Sequence, residues 1–128
     1  MLYCVTTIAN FAATTGNTMH RKIIAHKDHF NAFFAVLDQG TQDKVLYVLM
    51  LLRTQDRLPT KFIKAIRDGL FELRIEYAGN IYRIFFVFDG DRIVVLFNAF
   101  HKKTQKTPAS EIMKALKLKE EYYASKGD

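Results

Sequence analysis

A cationic segment, Phe100-His101-Lys102-Lys103-Thr104-Gln105-Lys106-Thr107-Pro108, stands between a strand-like run and a helix start. His101, Lys102, Lys103 and Lys106 are four donors suited to an anion such as phosphate. A loop tethered at both ends holds such charges in place, whereas a tail leaves them solvated. His101 has an intrinsic pKa suited to proton transfer. The lysines bind phosphate as point charges and, if desolvated beside other cations, work with lowered pKa values. Thr107 followed by Pro108 reads as an N-cap with proline at the first helical position.

The elements that hold this loop can be read on either side of it. Arg92–Phe100 is almost continuously apolar and rich in β-branched and aromatic residues, as a central strand is. Leu70–Tyr77 and Ile81–Phe88 read as two more strands, joined through Ala78-Gly79-Asn80 and Asp89-Gly90-Asp91. A two-residue Gly79-Asn80 turn would set Glu76 opposite Arg83 and Arg74 opposite Phe85. Leu73, Ile75, Tyr77, Tyr82, Ile84, Phe86 and Phe88 then share one core face, and a one-residue slip would bring Arg83 among them. A Gly90-Asp91 turn would set Asn98 opposite Arg83. The second face is then polar at one end (Arg74, Glu76, Arg83, Asn98) and apolar at the other (Phe85, Val87, Val94, Leu96), with the His101–Lys106 loop beside the polar end.

Upstream, His20–Ala25 reads as a short edge strand. Asp28 caps a helix to about Asp38, closed by Gly40, and Thr41 caps a second helix, Gln42 to about Gln55, so the two form a helical hairpin. Thr60–Gly69 reads as a basic connector carrying Lys61, Lys64 and Arg67, and Pro108 to about Ala124 as the last helix. The order β-α-α-β-β-β-α predicts an α+β domain, an antiparallel β-sheet packed against an N-terminal helical hairpin. Phe30, Phe33, Phe34 and the run Val45–Leu52 are expected in its core.

The chain of 128 residues is sized for one domain, and 49% hydrophobic residues exclude disorder. A formal net charge of +6 favours a polyanionic partner. The lone Cys4 excludes an internal disulfide framework and suits a reducing cytoplasm. No apolar run approaches the roughly 20 residues that cross a bilayer, so no membrane role is expected. Residues 1–18 carry no charge and precede Met19 and His20-Arg21-Lys22; they read as an extension, with the domain proper over 19–128. The histidines and acidic residues show no metal-ligand spacing, so neither metal nor other cofactor is expected.

Gly69-Leu70-Phe71-Glu72-Leu73-Arg74-Ile75, then Tyr82-Arg83-Ile84-Phe85, then the Phe100–Pro108 segment with Glu111-Ile112, together resemble the RelE/ParE toxin superfamily, and more narrowly its HigB-like, phage-derived branch. The resemblance covers roughly residues 19–124. It implies the toxin of a type II toxin–antitoxin pair, a ribosome-dependent mRNA endonuclease that inhibits translation in the cytoplasm. Its partners would be a small helix-turn-helix antitoxin, the ribosome and mRNA. The family's strand arginines match Arg74 and Arg83, its basic residues after the last strand match Lys102 and Lys103, and its C-terminal aromatic has loose counterparts in Tyr122 and Tyr123.

RNA carries its own nucleophile, the 2′-OH, so a ribonuclease must deprotonate it, stabilise a dianionic phosphorane and protonate the leaving oxygen, none of which requires a metal. On that basis Arg83, Arg74, His101 and Lys103 are the expected catalytic residues, with Lys102, Lys106, Lys61, Lys64 and Asn98 on the RNA. Glu72 and Glu76 are alternative proton acceptors, though arginine neighbours lower a carboxyl pKa. The structural alternative for Arg83 is a cross-strand pair with Glu76. Two other functions share these residues: a ParE-like inhibitor of a topoisomerase, and a nucleic-acid-binding module without activity.

Overall fold

The computed structural model describes residues 20–126, so the expected extension over residues 1–18, the start at Met19 and Cys4 lie outside the described residues. In chain order come β1 (Lys22–Ala25), α1 (His29–Ala35), α2 (Gln39–Thr54), β2 (Ile63–Arg67), β3 (Leu70–Tyr77), β4 (Asn80–Asp89), β5 (Ile93–Lys102) and α3 (Ala109–Lys126). The strands make one sheet in the order β1-β5-β4-β3-β2. This is the expected α+β arrangement with two changes at the sheet edges.

The first change is β2, which replaces the expected connector. Asp68 and Gly69, both at positive φ (53° and 80°), form a two-residue turn that brings Arg67 opposite Leu70. A β-bulge between Ala65 and Arg67 breaks the period-2 alternation, which hid the strand in the sequence. The second change is that β1 lies parallel to β5, Lys22 opposite Ile93 through Ala25 opposite Leu96, whereas the other pairings are antiparallel.

The helical hairpin divides earlier than its pattern suggested. Asp28 makes no side-chain cap bond, and α1 ends at Val36. Asp38 is instead the N-cap of α2: its carboxylate accepts the Thr41 N–H at 2.8 Å, and hydrogen bonding to the Thr41 side chain first and to its N–H second lowers the Asp38 pKa. Gly40 therefore sits inside the first turn, directly under Tyr77, whose hydroxyl a Cβ at this position would strike. Tyr77, expected on the core face, is 41% exposed as a result of this perch on the sheet's edge.

The hairpins differ in register from the expectation, for identifiable reasons. The β3–β4 turn is Ala78-Gly79 (φ 53° and 79°), so Tyr77 faces Asn80, Glu76 faces Ile81 and Arg74 faces Arg83. The shift is two residues, which preserves parity, so Leu73, Ile75, Tyr82, Ile84 and Phe86 keep their shared face. The β4–β5 turn holds three residues rather than two, since Asp89 faces Ile93, and that odd change turns β5 over. Val94 and Leu96 accordingly join the first core, under α1 and α2, while Val95 and Phe97 take the second face with Phe85, Val87 and the α3 residues Ala115 and Leu118. A bulge between Ile84 and Phe86 then places Phe100, not Asn98, opposite Arg83.

Helices thus cover both faces of the sheet. Val45, Val48, Leu49 and Leu52 bury one side of α2 against the first, with Phe30 and Phe34 of α1. Among the described residues no helix is long and apolar enough to cross a membrane.

Candidate anion-binding cleft

α3 covers the apolar half of the second face and leaves the polar half open, at the end of the sheet where β5 runs into the 103–108 loop. The floor there is an ion pair of unusual depth. Glu72 on β3 and Arg83 on β4 are each only 2% exposed, with Arg83 Nε 3.4 Å from Glu72 Oε2. Arg74 Nε approaches the same carboxylate oxygen to 3.7 Å. The Thr107 hydroxyl donates to Glu72 Oε1 at 3.0 Å, and Arg83 Nη1 donates to the Tyr82 carbonyl at 3.1 Å. A carboxylate buried this far from water requires such partners, because a lone buried charge is prohibitively costly. Burial lowers the pKa of Arg83, and the Glu72 charge works against that shift.

Above the floor lies a cleft of about 390 Å³ between the β2 edge and the 102–107 segment. Lys64, Arg74, Lys102 and Lys106 line it, with Glu72 and Thr107. Lys64 arrives from β2, directly opposite Glu72; Lys102 is the last residue of β5, opposite Ile81. Four cations therefore converge over one buried carboxylate, from positions spread over some forty residues of chain. The pKa of Lys102 is lowered: burial is the chief cause, followed by Arg83, with Arg74 and Lys64 adding to the shift and Glu72 opposing it.

The other expected residues are not brought here. The strand alternation that points Lys102 into the cleft sends His101 to the opposite face, where its ring stacks on Tyr82 (4.8 Å between centroids, 26° between planes). Lys103 is exposed just past the strand and does not line the cleft. Asn98 is turned to α3, donating to the Glu111 carbonyl and to Glu111 Oε1 at 3.1 and 3.0 Å. Lys61 lies next door, in a smaller pocket that shares Arg74. Tyr122 donates to Asp89 Oδ2 at 2.6 Å, at the far end of β4, where Lys126 also reaches Asp89. Burial first, then Asp89, pushes the Tyr122 hydroxyl up to about 12. Tyr123 stands edge-on against Tyr122, remote from the cleft.

Sequence reasoning named Glu72 only as a proton acceptor and Thr107 only as a cap. The sequence signal extended only to the shared face of Glu72 and Arg74, two residues apart on β3; the bond from Thr107, thirty-five residues away, had no local signal. Among the described residues no three histidine, cysteine or acidic side chains gather as a metal ion would need.

The family model described as phage derived protein Gp49-like matches residues 32–120, which include all four cleft cations and the Glu72–Arg83 pair. Two proteins named "Probable endoribonuclease HigB1", from the CDC 1551 / Oshkosh and H37Rv strains of Mycobacterium tuberculosis, are each 37% identical over 83 residues. That stretch is 65% of this chain and 66% of each relative, so the match spans just under two thirds of their length.

Proposed function

The chain belongs to the phage-derived Gp49-like family of RelE/HigB-like toxins, and on that premise we propose that it is the toxin of a type II toxin–antitoxin pair, an endoribonuclease that cuts messenger RNA. The observation that carries this reading is the convergence of Lys64, Arg74, Lys102 and Lys106 on one cleft of about 390 Å³, with Lys102 lowered in pKa. A protein that only bound a topoisomerase would have no need of four cations gathered in one cleft. The name of the mycobacterial relatives supports the same chemistry.

In this reading the scissile phosphate sits between Arg74, Lys64 and Lys106. Neutral Lys102 takes the proton of the neighbouring 2′-OH; that oxygen bonds to phosphorus, and the bond to the 5′-oxygen then breaks, leaving a 2′,3′-cyclic phosphate. The leaving oxygen is protonated by solvent or by the charged Lys102. The dianionic phosphorane between these events is stabilised by the fixed cations, an effect worth a few kcal/mol per contact in other enzymes. No step calls for a metal. Arg83 acts from below: it fixes Glu72, which positions Arg74, and its charge helps to lower the Lys102 pKa. The family resemblance further supports message presented by the ribosome as substrate, and neutralisation by a small antitoxin in the cytoplasm.

Induction of the protein without a partner, followed by primer extension on cellular mRNA, tests the reading. New, discrete 5′ ends and an early loss of translation are expected. Intact mRNA with early DNA damage would overturn it in favour of topoisomerase inhibition.

A further inference from the structure

Arg74 is shared by two pockets. On one side it lines the cation cleft; on the other it lines a pocket of about 170 Å³ formed with Lys44, Lys61, Phe62 and Glu76. The pocket lies at the sheet edge, where Phe62 extends β2 by one residue and its carbonyl accepts the Arg74 N–H at 2.7 Å. The Phe62 ring has Lys61 Nζ 5.0 Å and Lys44 Nζ 6.0 Å from its centroid. Lys44 also stands 5.7 Å from the ring of Tyr47, which is 48% exposed. Among the described residues neither lysine nor Glu76 has an ion-pair partner within 4.0 Å.

An aromatic ring flanked by unpaired cations is the combination that holds single-stranded nucleic acid, the ring stacking on a base and the cations meeting the backbone. Glu76 adds something that such a platform does not need. A carboxylate in a pocket otherwise made of cations weakens phosphate binding, so its presence there calls for a different partner. An ionised carboxylate only accepts hydrogen bonds. Adenine, cytosine and guanine each offer an exocyclic amino group, whereas uracil offers one N–H between two carbonyl oxygens that repel a carboxylate.

We propose that the Phe62–Glu76 pocket receives the RNA base next to the scissile phosphate and that Glu76 selects bases bearing an amino group over uracil. Arg74, between the two pockets, spaces the selected base from the phosphate held in the cleft. The inference rests on the nuclease reading above and gives that site its sequence preference.

The test is a map of RNA 5′ ends after induction of the full chain and of its E76Q and F62L variants. Glu76 is exposed at the end of β3 and glutamine is its isostere, so the fold is retained, as circular dichroism would verify. The unaltered chain should disfavour uracil at one position beside the cut. E76Q, whose amide both donates and accepts, should reduce that discrimination by about tenfold. F62L keeps an apolar side chain at the edge of the core but removes the stacking face. It should weaken binding of a short fluorescein-labelled RNA, measured by anisotropy, by at least about fivefold. Cleavage by E76Q with the unaltered base profile overturns the inference and leaves the nuclease reading standing. Absence of any cleavage by the unaltered chain overturns both.

Discussion

Arg74 and Arg83 stand directly opposite one another on β3 and β4, two like charges on one face of the sheet, and the carboxylate of Glu72 lies within 4 Å of both. Directly opposed like charges destabilise a sheet. Here one buried carboxylate makes the opposition tolerable, and the unbalanced positive charge is directed into the cleft.

Glu72 is accordingly the residue on which fold and site most depend. Glu72→Gln should lower stability by about 3–5 kcal/mol, because it leaves Arg83 buried without its counter-charge. Arg83→Ala should cost a similar amount, so loss of cleavage in that variant must be judged at equal folded concentration. The double variant Glu72→Leu with Arg83→Met should recover most of the stability and none of the activity. Urea unfolding monitored by circular dichroism decides the matter; a Glu72→Gln midpoint equal to that of the unaltered chain would contradict the buried pair.

Substitution at Lys102 would separate binding from the proposed proton transfer. Lys102→Arg keeps the positive charge but cannot lose its proton near neutrality, so RNA should still bind while cleavage falls by about a hundredfold or more. The pH dependence follows from the sign of the shift. As a base, Lys102 works only when neutral, so cleavage should rise with pH through a pKa below the ordinary lysine value of 10.5. Lys102→Arg should abolish this rising limb. A variant that cuts at the normal rate would remove Lys102 from the mechanism.

Lys64 and Lys106 line the cleft, and in the proposed reading they hold RNA as point charges. Replacing either by alanine should weaken RNA binding across all sequences and reduce the slope of log affinity against log salt by about one. Lys103→Ala, outside the cleft, should change the slope less. Titrations of a labelled RNA at several salt concentrations distinguish these cases.

Tyr122 should prove structural. Tyr122→Phe removes its bond to Asp89 and should cost about 1 kcal/mol without reducing cleavage. Because folding raises the Tyr122 pKa from 10.0 to about 12, the folded state retains a proton that the unfolded chain loses, and stability should fall as pH rises through that window. The phenylalanine variant should lose less stability over the same range, and equal alkaline losses would argue against the assignment.

The strands β3, β4 and β5, the terminal helix and the helical hairpin were legible in the sequence because hydrophobic period and turn residues are local signals. The sharing of one face by Arg74 and Arg83 was legible too, since it depends only on parity, which a two-residue register error leaves intact. Strand β2 was not, because its bulge erased the alternation, and neither was the parallel pairing of β1, whose partner lies some seventy residues away. The choice of Lys102 over His101 and Lys103 depended on how far β5 continues past Phe100, which its pairing with β4 decides and its own composition does not. The depth of Glu72 was decided by tertiary structure alone. A carboxylate enters a protein interior only when partners from distant segments meet there, and Arg83 and Thr107 become neighbours of Glu72 only once the sheet has formed and α3 has closed over it.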